Sequence, residues 1–498
     1  MNITAVLICI SLYFALLLFV SWLTTRKNTV QAEQFFLADK KTHWAVVTFG
    51  MIGTTISGVT FLSTPGLVYQ DNFAYLQFVL GNVAGFWIIA YILLPMYYRL
   101  ELTSIYQYLK NRFGNRTYHL GAFLFLLSRT LGASARIYIV VFTLYQLVLA
   151  KLGVPLWLSG ITVMFLMVVY TYKGGVKTIL WTDLIQTTIL ILCLIVMLYG
   201  FTQALELSFA DMLQKSFQTG KMKIWHGGGL LAKNNGIFMF VTGMLTTISM
   251  VGLDQDMMQK NLTLKSYAEA RKNMLIFSGV FLIMNIVFLC IGAFLYLITL
   301  QHPEFSVPVA KDQLFTSVVT QYFGTSFFFI FVIGIIAATF ASADAALTAL
   351  TTSFAVDIVK VNEKYPDKQL RKRKVSQIQI VFAIILWLCM LLFQFSEGSI
   401  IKTIFKLAGY TYSPLLALYA LGILTKRKIK DTLALYISIV FPFCITVLDI
   451  FSGTISQKIG IMYKLDFYHV LMLNSGGIFV LLWIFSKKMN TENTIITE

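Results

Sequence analysis

The sequence predicts an all-α integral membrane protein of about thirteen transmembrane helices. Three observations carry that expectation. Of 498 residues, 58% are hydrophobic and 12% charged, and mean hydropathy is +0.76; soluble domains carry about twice that share of charge. Apolar runs long enough to cross a ~30 Å hydrocarbon core recur from end to end. Lys and Arg collect in alternate connections between those runs.

The runs lie at 3–23, 44–69, 74–97, 118–149, 155–172, 179–202, 235–257, 273–299, 325–357, 375–395, 403–424, 431–450 and 467–486. The first has no basic residue before it and Arg26-Lys27 after it, the reverse of a cleaved signal peptide. It reads as a retained helix entering from outside. Alternate connections hold Arg26, Lys27, Lys40 and Lys41, then Arg99, Lys110, Arg112 and Arg116, then Lys173 and Lys177. The same side collects Lys260, Lys265, Arg271 and Lys272, "KQLRKRK" at 368–374, "KRKIK" at 426–430, and Lys487-Lys488. The other side has fewer basic residues in longer loops, among them Lys233, Lys458 and Lys464. The rich side is therefore expected in the cytoplasm, with the N-terminus outside and the C-terminus inside the cell membrane. The largest gap, 203–234, has only turn-like and amphipathic material, so 1–498 reads as a single transmembrane domain.

This distribution accounts for the net charge of +17. Dispersed over topogenic loops, it does not point to nucleic acid. The five cysteines stand alone in apolar segments, without metal-ligand or disulfide spacing. Five scattered histidines and the lack of an H-E-x-x-H or G-x-S-x-G context argue against an enzyme. The partners expected are a small solute and the lipid bilayer, with no obligatory protein partner.

Charge inside a membrane is costly and tends to be functional. Arg129, Arg136, Asp183 and Asp344 are expected at depth, while Lys406 and Glu397 lie nearer helix ends. A second polar signal is "GMIGTTISGVTFLSTPG" at 50–66, whose glycines, proline and hydroxyls interrupt a spanning helix. It reads either as a small-residue packing helix or as a broken helix whose freed carbonyls line a site. Five runs later, with opposite direction, the run at 235–257 holds Gly243, Thr246, Thr247, Ser249 and Gly252. Two interrupted spans at corresponding places suggest an inverted-repeat transporter.

In these features the chain resembles the sodium:solute symporter family. The resemblance rests on "TTISGVTFLSTPGLVY" (54–69), "LPMYYRLELTSIYQYLKNRFG" (94–114), "YKGGVKTILWTDLIQ" (172–186), "GLDQDMMQKNLTLKSYAEARK" (252–272), "ASADAALTALTTSFAVDIVK" (341–360) and "GYTYSPLLALYALGILTKR" (409–427), in the family's order. It implies a LeuT-like core of two inverted five-helix repeats, at 44–202 and 235–424, with one extra helix (3–23) before and two (431–486) after. It also implies Na+-coupled uptake of a small organic solute by alternating access; a transporter-like sensor or a channel is the alternative.

The resemblance places a first Na+ site at Gly53, Ile56, Ala338, Ala341 and Ser342. Ala341 stands where many members have a second hydroxyl, which leaves Thr339, water or a neighbour to complete the shell. Some members bind a second cation through serines further along that helix and the aspartate of "WTD". Here those positions are Ala343, Asp344 and Asp183, so the second site is expected at Asp183, Ser342 and Asp344. Asp344 has two other readings, a protonated hydrogen-bonded carboxyl or a contact to Arg129 or Arg136.

For the solute, the sugar-transporting branch's glutamate and lysine are replaced by Val79 and Phe281. The sialic-acid branch's Thr-x-Ser-x-x-Thr trio is matched by Thr55, Ser57 and Thr60. That branch's arginine aligns without gaps with Gly132, and Arg136 follows one turn later. An anionic solute, such as a sialic acid or another carboxylate, is the expectation these matches carry. Asn82, Thr247 and Met250 join the solute residues by position.

Overall fold

A computed structural model describes residues 3–25, 42–102, 104–171, 175–225, 235–395, 400–451 and 467–488. Arg26, Lys27, Lys40, Lys41, Lys173, Lys233, Glu397, Lys458 and Lys464 lie outside these residues.

The molecule is helical almost throughout. Helix α1 spans Ile3–Thr25, α2 Trp44–Thr55, α3 Gly58–Asp71, α4 Tyr75–Ile88, α5 Leu94–Arg99, α6 Gln107–Arg112 and α7 Asn115–Leu144. There follow α8 (Leu156–Thr171), α9 (Gly175–Leu205), α10 (Phe209–Gln218), α11 (Gly236–Thr247), α12 (Gln255–Leu262) and α13 (Tyr267–Gln301). The last are α14 (Leu314–Tyr322), α15 (Thr325–Ser353), α16 (Lys368–Leu392), α17 (Ile400–Thr411), α18 (Ser413–Leu424), α19 (Asp431–Ile450) and α20 (Phe467–Ile484). Among the described residues eight helical stretches are long and apolar enough to cross a membrane, and two bent pairs raise that to ten. One of the eight, Gly58–Arg99, holds parts of two expected spans; the chain turns at Asn72, where φ is 54° and ψ −144°.

Three breaks interrupt the helices near the centre of the molecule. The first separates α2 from α3. Ile56 takes φ −85°, ψ 85° and Ser57 is extended, so the helix stops inside its apolar run. The glycines and β-branched hydroxyl residues around it are weak helix formers. The second lies between α11 and α12, which meet at 64° after a π-turn at Ile248–Gly252. Asp254 caps α12, its Oδ1 accepting from the amides of Asp256 at 3.0 Å and Met257 at 3.3 Å. The third, a 47° bend between α17 and α18, is set by Pro414 in the first turn of α18. The apolar pattern gives no sign of it.

Small residues let the broken helices approach their neighbours. A Cβ on Gly81 of α4 would stand 2.8 Å from the Phe240 carbonyl carbon of α11. One on Gly243 of α11 would stand 2.9 Å from the Phe78 carbonyl carbon of α4. Backbone-to-backbone contact of this kind is the usual role of glycine between membrane helices. Helix α9 packs on both α2 and α15, and α13 packs on α2, α3 and α4. Helix α15 is buried along nearly its whole length from Phe328 to Ser353, which is why Asp344 is fully enclosed.

Two expectations about basic loops need correction. The run at 368–374 is not a loop but the first turns of α16, capped by Asp367. Lys260, expected in a cytoplasmic connection, is 2% exposed and sits on α12. Buried carboxylates around its ammonium explain the burial.

Candidate functional site

A cavity of about 100 Å³ lies where the broken helices meet α4, α7, α13 and α17. Thr55, Ser57, Thr60, Asn82, Arg136, Thr247 and Met250 all line it. The structure thus brings together every residue expected at the solute. Tyr75, Phe78, Phe86, Phe281 and Phe405 give the cavity aromatic walls. Two of its lining residues carry polar atoms, Asn82 Oδ1 and Thr246 Oγ1, that are buried without a hydrogen-bond partner among the described residues. Hydroxyls, amides and aromatic faces around two arginines, Arg129 and Arg136, suit a small polar anion with some apolar surface.

The two arginines of α7 differ. Arg129 is 5% exposed and its guanidinium lies 2.5 Å from Asp256 and 3.6 Å from Asp254. Tyr412, at the α17–α18 bend, donates to Asp254 Oδ2 at 2.7 Å. Arg129 is therefore neutralised by the residues that start α12. Arg136 lines the cavity, half-buried, and among the described residues has no ion-pair partner. The positive charge left open to a ligand belongs to Arg136.

Of the residues expected around the first Na+, Gly53 of α2 meets Ala341 of α15 beside Asp183 of α9. A Cβ on Gly53 would stand 3.2 Å from Ala341 Cβ and 3.5 Å from the Asp183 carbonyl oxygen. Because α2 ends at Thr55, its last carbonyls lack the amides of a continuing helix. Across from them, Ala338, Ala341 and Ser342 are buried on one side of α15. The Ser342 hydroxyl donates to the Thr339 carbonyl at 3.0 Å, which leaves its oxygen lone pairs available. Neutral carbonyl and hydroxyl oxygens at a broken helix end fit a hard monovalent cation. Thr339 itself packs against Gly58, its hydroxyl bound to the Ile335 carbonyl at 2.7 Å.

Asp183 and Asp344 are both fully buried. Asp183 Oδ2 accepts from Lys260 Nζ at 2.8 Å, and Asp183 Oδ1 has no hydrogen-bond partner among the described residues. Asp344 Oδ2 accepts from the Tyr170 hydroxyl at 2.7 Å and Oδ1 from the Ala345 amide at 2.6 Å. No contact joins Asp344 to Arg129 or Arg136 among the described residues.

A model of the sodium:solute symporter family matches residues 35–440. The chain belongs to the sodium:solute symporter family. Among its relatives, the sodium/sialic acid symporter NanT of Aliivibrio fischeri is 23% identical over 409 residues, which is 80% of this chain and 78% of that one. The sodium/sialic acid symporter SiaT of Proteus mirabilis is 24% identical over 83% of this chain and 84% of its own length. The sodium-coupled monocarboxylate transporter 1 of Mus musculus is 24% identical over 79% and 64% of the two chains. A substrate-bound, outward-open Na+-coupled sialic acid symporter has the same fold, with a TM-score of 0.81 at 20% identity over 98% of this chain and 99% of that one.

Four polar residues of this symporter escape sequence reasoning: Lys260, Asp254, Asp256 and Tyr412. A signal is present in "GLDQDMMQK". Asp256 and Lys260 are four residues apart and so share a helix face, although their charges stand 4.0 Å apart in the fold.

Proposed function

We propose that this protein is a Na+-coupled symporter that imports a small anionic solute, a sialic acid or another carboxylate, by alternating access. The observation that carries the reading is Arg136: a cation on the wall of the central cavity, without a carboxylate partner among the described residues. A carboxylate on the solute supplies that partner. Thr55, Ser57, Thr60 and Asn82 hydrogen-bond its polar groups, while Thr247 and Met250 complete the wall. Na+ binds between α2 and α15, held by the carbonyls of Gly53, Ile56 and Ala338 and the Ser342 hydroxyl, with Thr339, water or a neighbour in place of the oxygen that Ala341 lacks.

The coupling follows from shared structure. The α2–α3 break supplies both the Na+ carbonyls and three solute residues, so occupancy of one site orders the other. Binding of both favours closure of α17, whose Ile404 and Phe405 lie on the cavity wall. The frame for this cycle is two inverted five-helix repeats, 44–202 and 235–424, preceded by one helix and followed by two. The breaks at Ile56–Ser57 and Gly252–Asp254 fall in the first helix of each repeat, which supports that division. The N-terminus lies outside and the C-terminus in the cytoplasm, as the basic connections argue.

The test is ligand-induced stabilisation of the purified protein. N-acetylneuraminate or lactate should raise the melting temperature in NaCl and not in choline chloride, and the corresponding amides should do neither. Equal stabilisation by acid and amide, or by either without Na+, would remove the anion from the proposal.

A further inference from the structure

Lys260 is the least expected charge in the molecule. It belongs to α12, just after the second break, and its ammonium reaches across to the first. Nζ lies 2.8 Å from Asp183 Oδ2 of α9 and 3.4 Å from the Gly50 carbonyl of α2, and it bonds the Thr54 hydroxyl of α2. Asp256 Oδ1 is 4.0 Å away. One carboxylate, one helix carbonyl and one hydroxyl are the donor types that hold a hard monovalent cation.

The family resemblance puts a second cation at Asp183, Ser342 and Asp344. In this structure the two carboxylates have hydrogen-bond partners of their own. Asp183 gives one oxygen to Lys260, and Asp344 gives both of its oxygens to Tyr170 and Ala345. Asp183 Oδ1 stays open, but a Na+ bound there would share one carboxylate with an ammonium. Two cations that close repel strongly in a buried setting.

We infer that Lys260 is a tethered replacement for the second cation: its ammonium fills the Asp183 site, and the protein couples its solute to one Na+. A lysine suits the role because its charge is compact and its three donors can be satisfied by separate oxygens. The consequence differs from that of a bound ion. Na+ leaves to the cytoplasm and returns from outside, so it draws on the gradient in every cycle. Lys260 cannot leave. It neutralises Asp183 and ties α12 to α2 permanently or until the inner halves of the two broken helices part.

The inference rests on the reading that Gly53–Ser342 forms the first Na+ site, and the test separates the two. Equilibrium binding of radioactive ²²Na+ to the purified full chain, without solute, counts ions per protein. Wild type should bind one. Lys260→Met should bind two, because Asp183 is freed, and Lys260→Met combined with Asp183→Asn should return to one. Lys260→Arg, which keeps the charge, should also bind one. Two ions on the wild type, or no gain in a folded Lys260→Met protein, would overturn the tethered cation. No bound ion on the wild type would instead overturn the first site. Should Lys260→Met fail to fold, the wild-type count and the neutral double variant still decide, since two ions on either contradict the inference.

Discussion

Arg129 and Arg136 lie on one helix seven residues apart, yet their charges are met in different ways. Both line the cavity, but Arg129 is paired with Asp254 and Asp256, whereas Arg136 has no ion-pair partner among the described residues. Their neutral variants should separate accordingly. Arg136→Gln should raise the solute's half-saturation roughly ten- to hundredfold, the loss of a charge-assisted contact worth about 1.5–3 kcal/mol. Na+ binding without solute should stay as in the wild type. Arg129→Gln strands two buried carboxylates and should destabilise the fold by about 3–5 kcal/mol, seen as low yield and a lowered melting temperature. Equal effects of the two on solute affinity would contradict the assignment. If Lys260 stands in for the second cation, Asp344, held by Tyr170 and Ala345, binds no Na+. Asp344→Asn should leave the ²²Na+ count unchanged and cost about 1 kcal/mol of stability through the lost amide contact. A changed count would make Asp344 a cation ligand.

Among the helices, the seam between α2 and α15 is the critical contact. Gly53 stands against Ala341 with Thr187 behind it. Gly53→Val should push α2 away from Ser342 and weaken Na+ binding at least tenfold, while Ser342→Ala should weaken it by removing one oxygen and leave the seam closed. Na+ titrations of thermal stability measure both, and unaltered Na+ dependence in Ser342→Ala would remove that hydroxyl from the site. The α2–α3 break is legible in the sequence because glycines and hydroxyl residues crowd 50–66, where an apolar span should have leucines. The α17–α18 bend is not, although Pro414 marks it, because the surrounding run stays apolar and a proline in the first turn is compatible with a helix start. Lys260 misleads for a related reason. A lone lysine beyond an apolar run looks topogenic, and only the folded partners Asp183 and Thr54 reveal why it is buried.

For the molecule as a whole, the membrane class and the family are readable in the sequence, since both rest on long repeated signals: apolar length, alternating basic loops and ordered motifs. The seven residues expected at the solute line one cavity, although they come from several helices and the α2–α3 break, because motif matches and position group them without any contact being known. What sequence cannot provide is the pairing of charges, which depends on three-dimensional neighbours far apart in the chain: Lys260 with Asp183, and Arg129 with Asp254 and Asp256. Those pairings decide which cation in the cavity is open to a ligand and which carboxylate is already neutralised. Whether a Na+ gradient drives an anionic solute through this cavity is decided by uptake into proteoliposomes. Radiolabelled N-acetylneuraminate and lactate are each supplied outside, with an inward Na+ gradient or with K+ in its place. At least one should accumulate above its outside concentration with the Na+ gradient, and that accumulation should vanish with K+ and when an ionophore dissipates the gradient. Accumulation that persists without Na+, or Na+-driven accumulation of neutral sugars with neither carboxylate moved, would contradict Na+–anion symport.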